Sequence, residues 1–317
     1  MSSIYSAARL YGAACATILA MLASPAIAQT VSDDPELRNP KVVVTETRMD
    51  QAKGYLKEVM PKGTDILRKG LPRWNSELCV SIIGPPVDQG QYIADRIAQR
   101  AMQVGLKTGG PGCDTNLLII VTDAPEMLLP RVIKEHEGVF GYPGDSGIDV
   151  SGTSGLAKFA TEQRPVRWRQ VIETVSASGM PLDGDAITGD SGLAANIPIV
   201  RNADASRVRS NVRREVSRMI VVVDTGETAG QPLSAVSDYL AFISLAQVDG
   251  EAEANDYPSI LSLFKSPDPP REMTEWDVAY LFGTYGSEAT AVNASAQLRD
   301  IRDLIVKYDP EARRKTH

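Results

Sequence analysis

Histidine is nearly absent from this chain: His136 and the terminal His317 are the only two in 317 residues. A helical zinc site of the H-E-x-x-H kind needs two imidazoles one turn apart, so that both reach one metal, and a glutamate to activate water. No such pair exists, so that chemistry is excluded and no metal or other cofactor is expected. His136, within Ile133-Lys134-Glu135-His136-Glu137, reads as a solvated helix residue. The phosphate-cradling G-x-x-x-x-G-K-[ST] loop and the dinucleotide fingerprint G-x-G-x-x-G are also missing. The net charge of −7 argues against nucleic acid as the main partner. Cysteine is scarce, at three residues. Beyond residue 28 no apolar run is long enough for a transmembrane helix, so a soluble mature protein is expected.

The first 28 residues carry an address. Arg9 is their only charge, Ala13–Leu22 is apolar but short for a bilayer, and Ala26-Ile27-Ala28 has the small-x-small pattern of a signal-peptidase site. Cleavage is expected between Ala28 and Gln29, giving a periplasmic or secreted protein. Cys15 leaves with the signal. In an oxidising compartment the remaining Cys79 and Cys113 most simply pair, and the ring of about 35 residues would be worth roughly 3–4 kcal/mol in chain entropy.

Residues 29–50 are polar and aperiodic and read as a flexible lead-in. Residues 51–317 read as one α/β (α+β) domain, a mixed sheet with packed helices. A helical stretch over 51–73 precedes a buried strand at 79–83, stopped by Gly84-Pro85-Pro86. Asp88 is the expected cap of a helix carrying Ile93, Ile97, Ala101 and Val104 at helical spacing. Leu117–Val121 reads as a second strand. Asp123-x-x-Glu126, with Pro125 in the first turn, reads as a capping box for the next helix, which ends near Gly138. The region about 141–200 is rich in Gly, Ser, Asp and Pro and reads as a loop-rich insertion with one strand around 164–172. Met219–Val223 is a strong strand, followed by helices over 233–248, from Thr274 and over 294–308.

Several motifs look chemical and have plainer explanations. Gly-Asp-Ser-Gly occurs at 144–147 and 189–192, yet serine catalysis needs a histidine base held by an aspartate, and His136 sits in a charged helix. Val221-Val222-Val223-Asp224-Thr225-Gly226 resembles the strand that delivers an aspartic-protease carboxylate, but that mechanism needs two carboxylates sharing a proton. Asp183, Asp185 and Asp190 lack the glycine and glutamate of an EF-hand, since Thr188 and Ala194 stand there. The basic run Arg201, Arg207, Arg209, Arg213, Arg214 and Arg218, with Arg167-Trp168-Arg169 besides, reads as solvated faces.

The segment 221–285 carries a resemblance. Strand Val221–Asp224, helix Leu233–Gln247, then Ser259-Ile260 and Thr274-x-x-Asp277 together resemble a family of secreted proteobacterial proteins, and the layout is similar to zincin-type metallopeptidase domains. In those domains a sheet strand precedes the active-site helix. The resemblance places Ser237, Asp238 and Ala241 where His, Glu and His would stand. It therefore implies a zincin-like fold with both metal-ligand positions lost. Val236, Tyr239, Leu240, Ile243 and Ala246 make an ordinary core face on the same helix. Two expectations follow: a non-catalytic binding module partnered by an envelope protein or ligand, or a carboxylate-dependent hydrolase with Asp224 or Asp238 as acid/base.

Overall fold

The structure is a computed structural model that describes residues 40–61, 70–140, 152–180, 183–187, 195–199, 209–250, 252, 256–291 and 293–308. The expected signal with its Ala28–Gln29 cleavage point, both Gly-Asp-Ser-Gly segments, Asp190, Arg201 and Arg207 lie outside the described residues. Apart from Pro40, the elements below belong to the compact unit Lys41–His317.

Two apolar strands, Leu117–Thr122 (β2) and Val212–Asp224 (β6), form the centre of a mixed sheet of order β1-β2-β6-β3. Val80–Ile83 (β1) pairs parallel with β2, and β2 pairs parallel with β6, setting Ile119 opposite Val221. Val166–Ser176 (β3) closes the other edge, antiparallel to β6, with a register shift at Val171/Ile172. Strands covered on both faces read as unbroken apolar runs, as Leu117–Val121 and Met219–Val223 do. Alternate side chains then serve different cores. Leu117, Ile119, Met219, Val221 and Val223 enter the main core, whereas Ile220 and Val222 pack with Leu129, Phe140 and Phe159 on the opposite face. A small antiparallel hairpin, Asp183–Ile187 (β4) and Ala195–Ile199 (β5), lies between β3 and β6 in sequence.

Helix Val87–Gln103 (α2) connects β1 to β2 and buries Ile93, Ile97 and Ala101, the spacing expected of its inner face. The turn into it uses Gly84 at φ +110, where a Cβ would stand 2.0 Å from the Val121 carbonyl oxygen. Only glycine allows that approach. Pro125–Glu135 (α3) and Gly152–Thr161 (α4) carry the smaller core. On the main-core face, Leu233–Leu245 (α5) follows β6 and is buried on every side from Ala235 to Leu245. A helix without a polar face belongs in an interior. Its covering comes from α2, from the short turn Ile260–Ser262, and from Glu275–Gly286 (α6), which packs on Ala294–Lys307 (α7). Cys79 and Cys113 are disulfide-bonded, with Cα atoms 5.9 Å apart.

The mixed α/β class and most elements fall where the sequence puts them, with instructive differences. Residues 40–50 are helical: Pro40–Val59 (α1) starts at a proline, whose fixed φ suits a first turn, inside the supposed flexible lead-in. The helix expected over 51–73 stops at Val59. Asp88 does not cap α2, because Pro86 holds the N-cap position and Asp88 falls in the first turn. Nor does Asp123 cap α3: the N-cap is Ala124, Pro125 stands at the first position, and Glu126 turns to Arg167. The region 141–200 is less of an insertion than its composition implies. Phe159 of α4 completes the smaller core, and β3 is an edge strand of the main sheet. Arg167 and Arg169 are buried, each only 4% exposed, so that pair is not a solvated face. Arg169 Nε donates to the Phe140 carbonyl at 2.9 Å.

Candidate functional site

The two carboxylates singled out as acid/base candidates sit in different surroundings. Asp224 ends β6. Its Oδ1 accepts from Gly226 N at 2.8 Å and from Glu227 N at 3.3 Å, the local bonding by which an aspartate shapes a turn. Asp238 lies on α5 with no exposed surface. Arg96 Nε and Nη2 donate to its Oδ1 and Oδ2 at 2.6 and 3.0 Å, and Arg100 Nε and Nη2 do so at 3.1 and 2.6 Å. Met273 N adds a fifth bond, to Oδ2, at 2.8 Å. Arg96 and Arg100 are one turn apart on α2, so both guanidinium forks address one carboxylate.

Five donors fill the roughly four lone-pair sites of a carboxylate. Burial raises the Asp238 pKa, but the hydrogen bonds from Arg100 and Arg96 and that from Met273 outweigh it and hold the group below the ordinary carboxylate value. The Arg96 pKa rises correspondingly, first through its bond to Asp238. Asp238 is thus an ionised, saturated brace between α5 and α2. No lone pair remains for a metal ion or an attacking water. Asp224 and Asp238 share no partner, so the structure does not bring them together as a proton-sharing pair.

The other positions matching the zincin layout are equally occupied. Ser237 Oγ donates to the Leu233 carbonyl at 2.7 Å within its own helix, and Ala241 is buried with no donor atom in its side chain. These residues do not fit zinc. Among the described residues, no group of three or more His, Cys, Asp or Glu side chains is placed to hold a metal ion. His136, the C-cap residue of α3, is exposed, and no described helix is long and apolar enough to cross a membrane.

A second buried carboxylate joins the remaining pieces of the 221–285 pattern. Asp277 accepts from Tyr55 Oη at 2.8 Å, Ser259 Oγ at 2.5 Å, Ile260 N at 2.8 Å and Thr274 N at 2.8 Å. Thr274 and Asp277 form the reciprocal capping box of α6. The Ser-Ile turn and the T-x-x-D helix therefore meet at one carboxylate, and Tyr55 ties α1 to both. Burial raises the Asp277 pKa, while the bonds from Ser259, Ile260, Thr274 and Tyr55 oppose that rise.

Sequence reasoning missed three arginine anchors. Arg96 and Arg100 were legible as a pair one turn apart, but nothing local named their acceptor. Arg73 Nη1 reaches the carbonyls of Thr284, Tyr285 and Ser287 at 2.7, 3.1 and 2.9 Å, closing the C-terminus of α6. Of the basic run on β6, Arg213 pairs with Glu215, and Arg214 donates to the Gly70 carbonyl at 3.2 Å. Both are engaged in the fold, not presented to a ligand. A recess of about 410 Å³ opens between the C-terminal ends of α2, α6 and α7, lined by Val104, Phe282, Tyr285, Leu304, Lys307 and Tyr308 among others. Neither Asp224 nor Asp238 lines it.

Comparisons with protein-family models, with curated proteins and with solved structures give no match to this chain.

Proposed function

We propose that this chain is an exported, zincin-like protein without peptidase activity that serves as a binding or interaction module of the cell envelope. The single observation that carries the reading is the state of Asp238. At the position where a zincin-like helix would present its general base, the carboxylate is buried, ionised and saturated by Arg96, Arg100 and the Met273 N–H. A general base needs a lone pair facing water or substrate; here both oxygens point at guanidinium groups. Further support is the order of parts: β6 runs into the buried α5, and the Ser259-Ile260 turn and the Thr274–Asp277 helix follow. The Cys79–Cys113 bond and the signal-like first 28 residues support the envelope as its place of work.

The test is elemental analysis of the purified protein together with a peptidase screen before and after chelation. Substoichiometric zinc and no chelator-sensitive turnover are expected. Stoichiometric zinc, with peptidase activity lost on chelation, would sink the proposal.

A further inference from the structure

Seven large apolar side chains are exposed among the described residues, and four of them, Ile83, Val87, Met127 and Leu233, lie at one end of the sheet. Ile83 is the last residue of β1. Val87, Met127 and Leu233 fall in the first turns of α2, α3 and α5, the helices that follow β1, β2 and β6. The three strands run parallel and in register, Ile83 beside Ile120 and Thr122 beside Asp224, so they finish at the same end. Val87 is 89% and Met127 81% exposed, almost the whole of each side chain. Scattered single apolar residues need no explanation, but a concentration of them marks a contact surface.

A further observation describes what the surface would meet. The stretches 83–95, 121–130 and 224–245 contain no Lys or Arg, but they carry the exposed carboxylates Asp88, Asp123 and Glu227 with the half-exposed Asp224. The nearby Glu126 is answered from within by Arg167. An apolar surface set among carboxylates that pair with no cation among the described residues complements a basic partner. It opposes a second copy of this chain, whose net charge is −7, and an anionic lipid surface, since like charges would then face each other.

From this geometry we infer that the end of the sheet formed by the termini of β1, β2 and β6 docks a basic, apolar segment of another protein. The inference rests on reading the chain as a binding module and names the surface that does the binding. The apolar side chains supply the contact, and the carboxylates select the partner's charge.

Fluorescence anisotropy of the full chain with a labelled helical peptide of repeating Lys and Leu, and with its Glu/Leu counterpart, tests it. The Lys/Leu peptide is expected to bind and the Glu/Leu peptide not. A Val87→Ser/Met127→Ser variant should weaken binding about tenfold, on the scale of lost anchor residues. Asp123→Lys/Glu227→Lys should weaken it and flatten its salt dependence. Met102→Ser/Met180→Ser, which alters exposed methionines elsewhere, should leave it unchanged. An unchanged melting temperature would show that each variant is folded. Equal binding by Val87→Ser/Met127→Ser, no binding by the wild type, or self-association abolished by that same variant would overturn the inference. Those outcomes leave the non-catalytic reading standing; zinc-dependent cleavage of the peptide would instead remove that reading.

Discussion

Asp238 and Asp277 are both fully buried carboxylates on the same side of the sheet, yet they are held by opposite means. Asp238 is surrounded by charge: two guanidinium groups and one backbone N–H. Asp277 has no cation among its hydrogen-bond donors and is held by two hydroxyls and two backbone N–H groups, with the Thr274 hydroxyl 3.0 Å from its Oδ2. The difference shows in their pKa values, lowered at Asp238 and raised at Asp277. Burial works against ionisation at both, and only the arginines overcome it. One carboxylate joins two helices by charge; the other organises a turn and a helix start by geometry.

The largest expected effect is at Asp277. Replacing it with alanine strands Tyr55, Ser259, Ile260 and Thr274 donors in the interior, at about 1–3 kcal/mol each. Urea unfolding should show a loss of at least about 4 kcal/mol, with Asp277→Asn retaining part of the difference. Next is Asp238→Ala, which leaves Arg96 and Arg100 unanswered beneath α5 and should cost roughly 3 kcal/mol. Adding Arg96→Met and Arg100→Met to Asp238→Leu should restore much of that loss, since an apolar replacement of the whole cluster removes the desolvation along with the pairing. If Asp238→Ala were neutral by itself, the arginines would have to reach solvent freely, and the contrast between the two carboxylates would collapse.

Acidity gives a finer test. The Asp238 pKa is lower in the folded chain than in the unfolded one, so its contribution is present above the ordinary carboxylate pKa, near 4. It is lost as pH falls through the folded value. The Asp277 pKa is raised, so its sign is reversed: its contribution is present at low pH and declines as pH rises from the ordinary value through the folded one. Denaturant titrations across pH 2–6 should therefore show Asp238→Asn flattening the loss of stability in acid, and Asp277→Asn removing an opposing slope. The smallest effect is at Thr274→Ala, expected to cost about 1 kcal/mol as a lost helix cap. It should leave the Asp238 slope untouched.

Much of this architecture could be read from residue order. The runs 117–121 and 219–223 named the sheet centre, and Thr274-x-x-Asp277 named a helix start, because those signals are local. The destination of Asp277's other oxygen was not legible. It depends on Tyr55, far earlier in the chain, arriving beside Ser259 once α1 is packed. Asp238 read as an acid/base candidate on an apolar helix because the arginines that saturate it belong to α2. The strand Val166–Ser176 was recognised as far as residue 172, but Arg167-Trp168-Arg169 within it read as a solvated face. The burial of Arg167 and Arg169 depends on acceptors at Phe140, Glu126 and Ala160 supplied by other elements. The helix start at Pro40 escaped because the apolar stripe of α1, Ala52, Tyr55, Leu56 and Val59, marks only its second half.

The Cys79–Cys113 bond makes the β1–α2 segment a covalent ring. A protease that cuts the exposed turn at Pro86-Val87 would open that ring without releasing a fragment. The two pieces would migrate as one chain until a reductant is added. The segment that supplies Ile83 and Val87 to the proposed docking end is thus protected against loss by a single nick, while the turn at Asp224–Gly230 has no such tether.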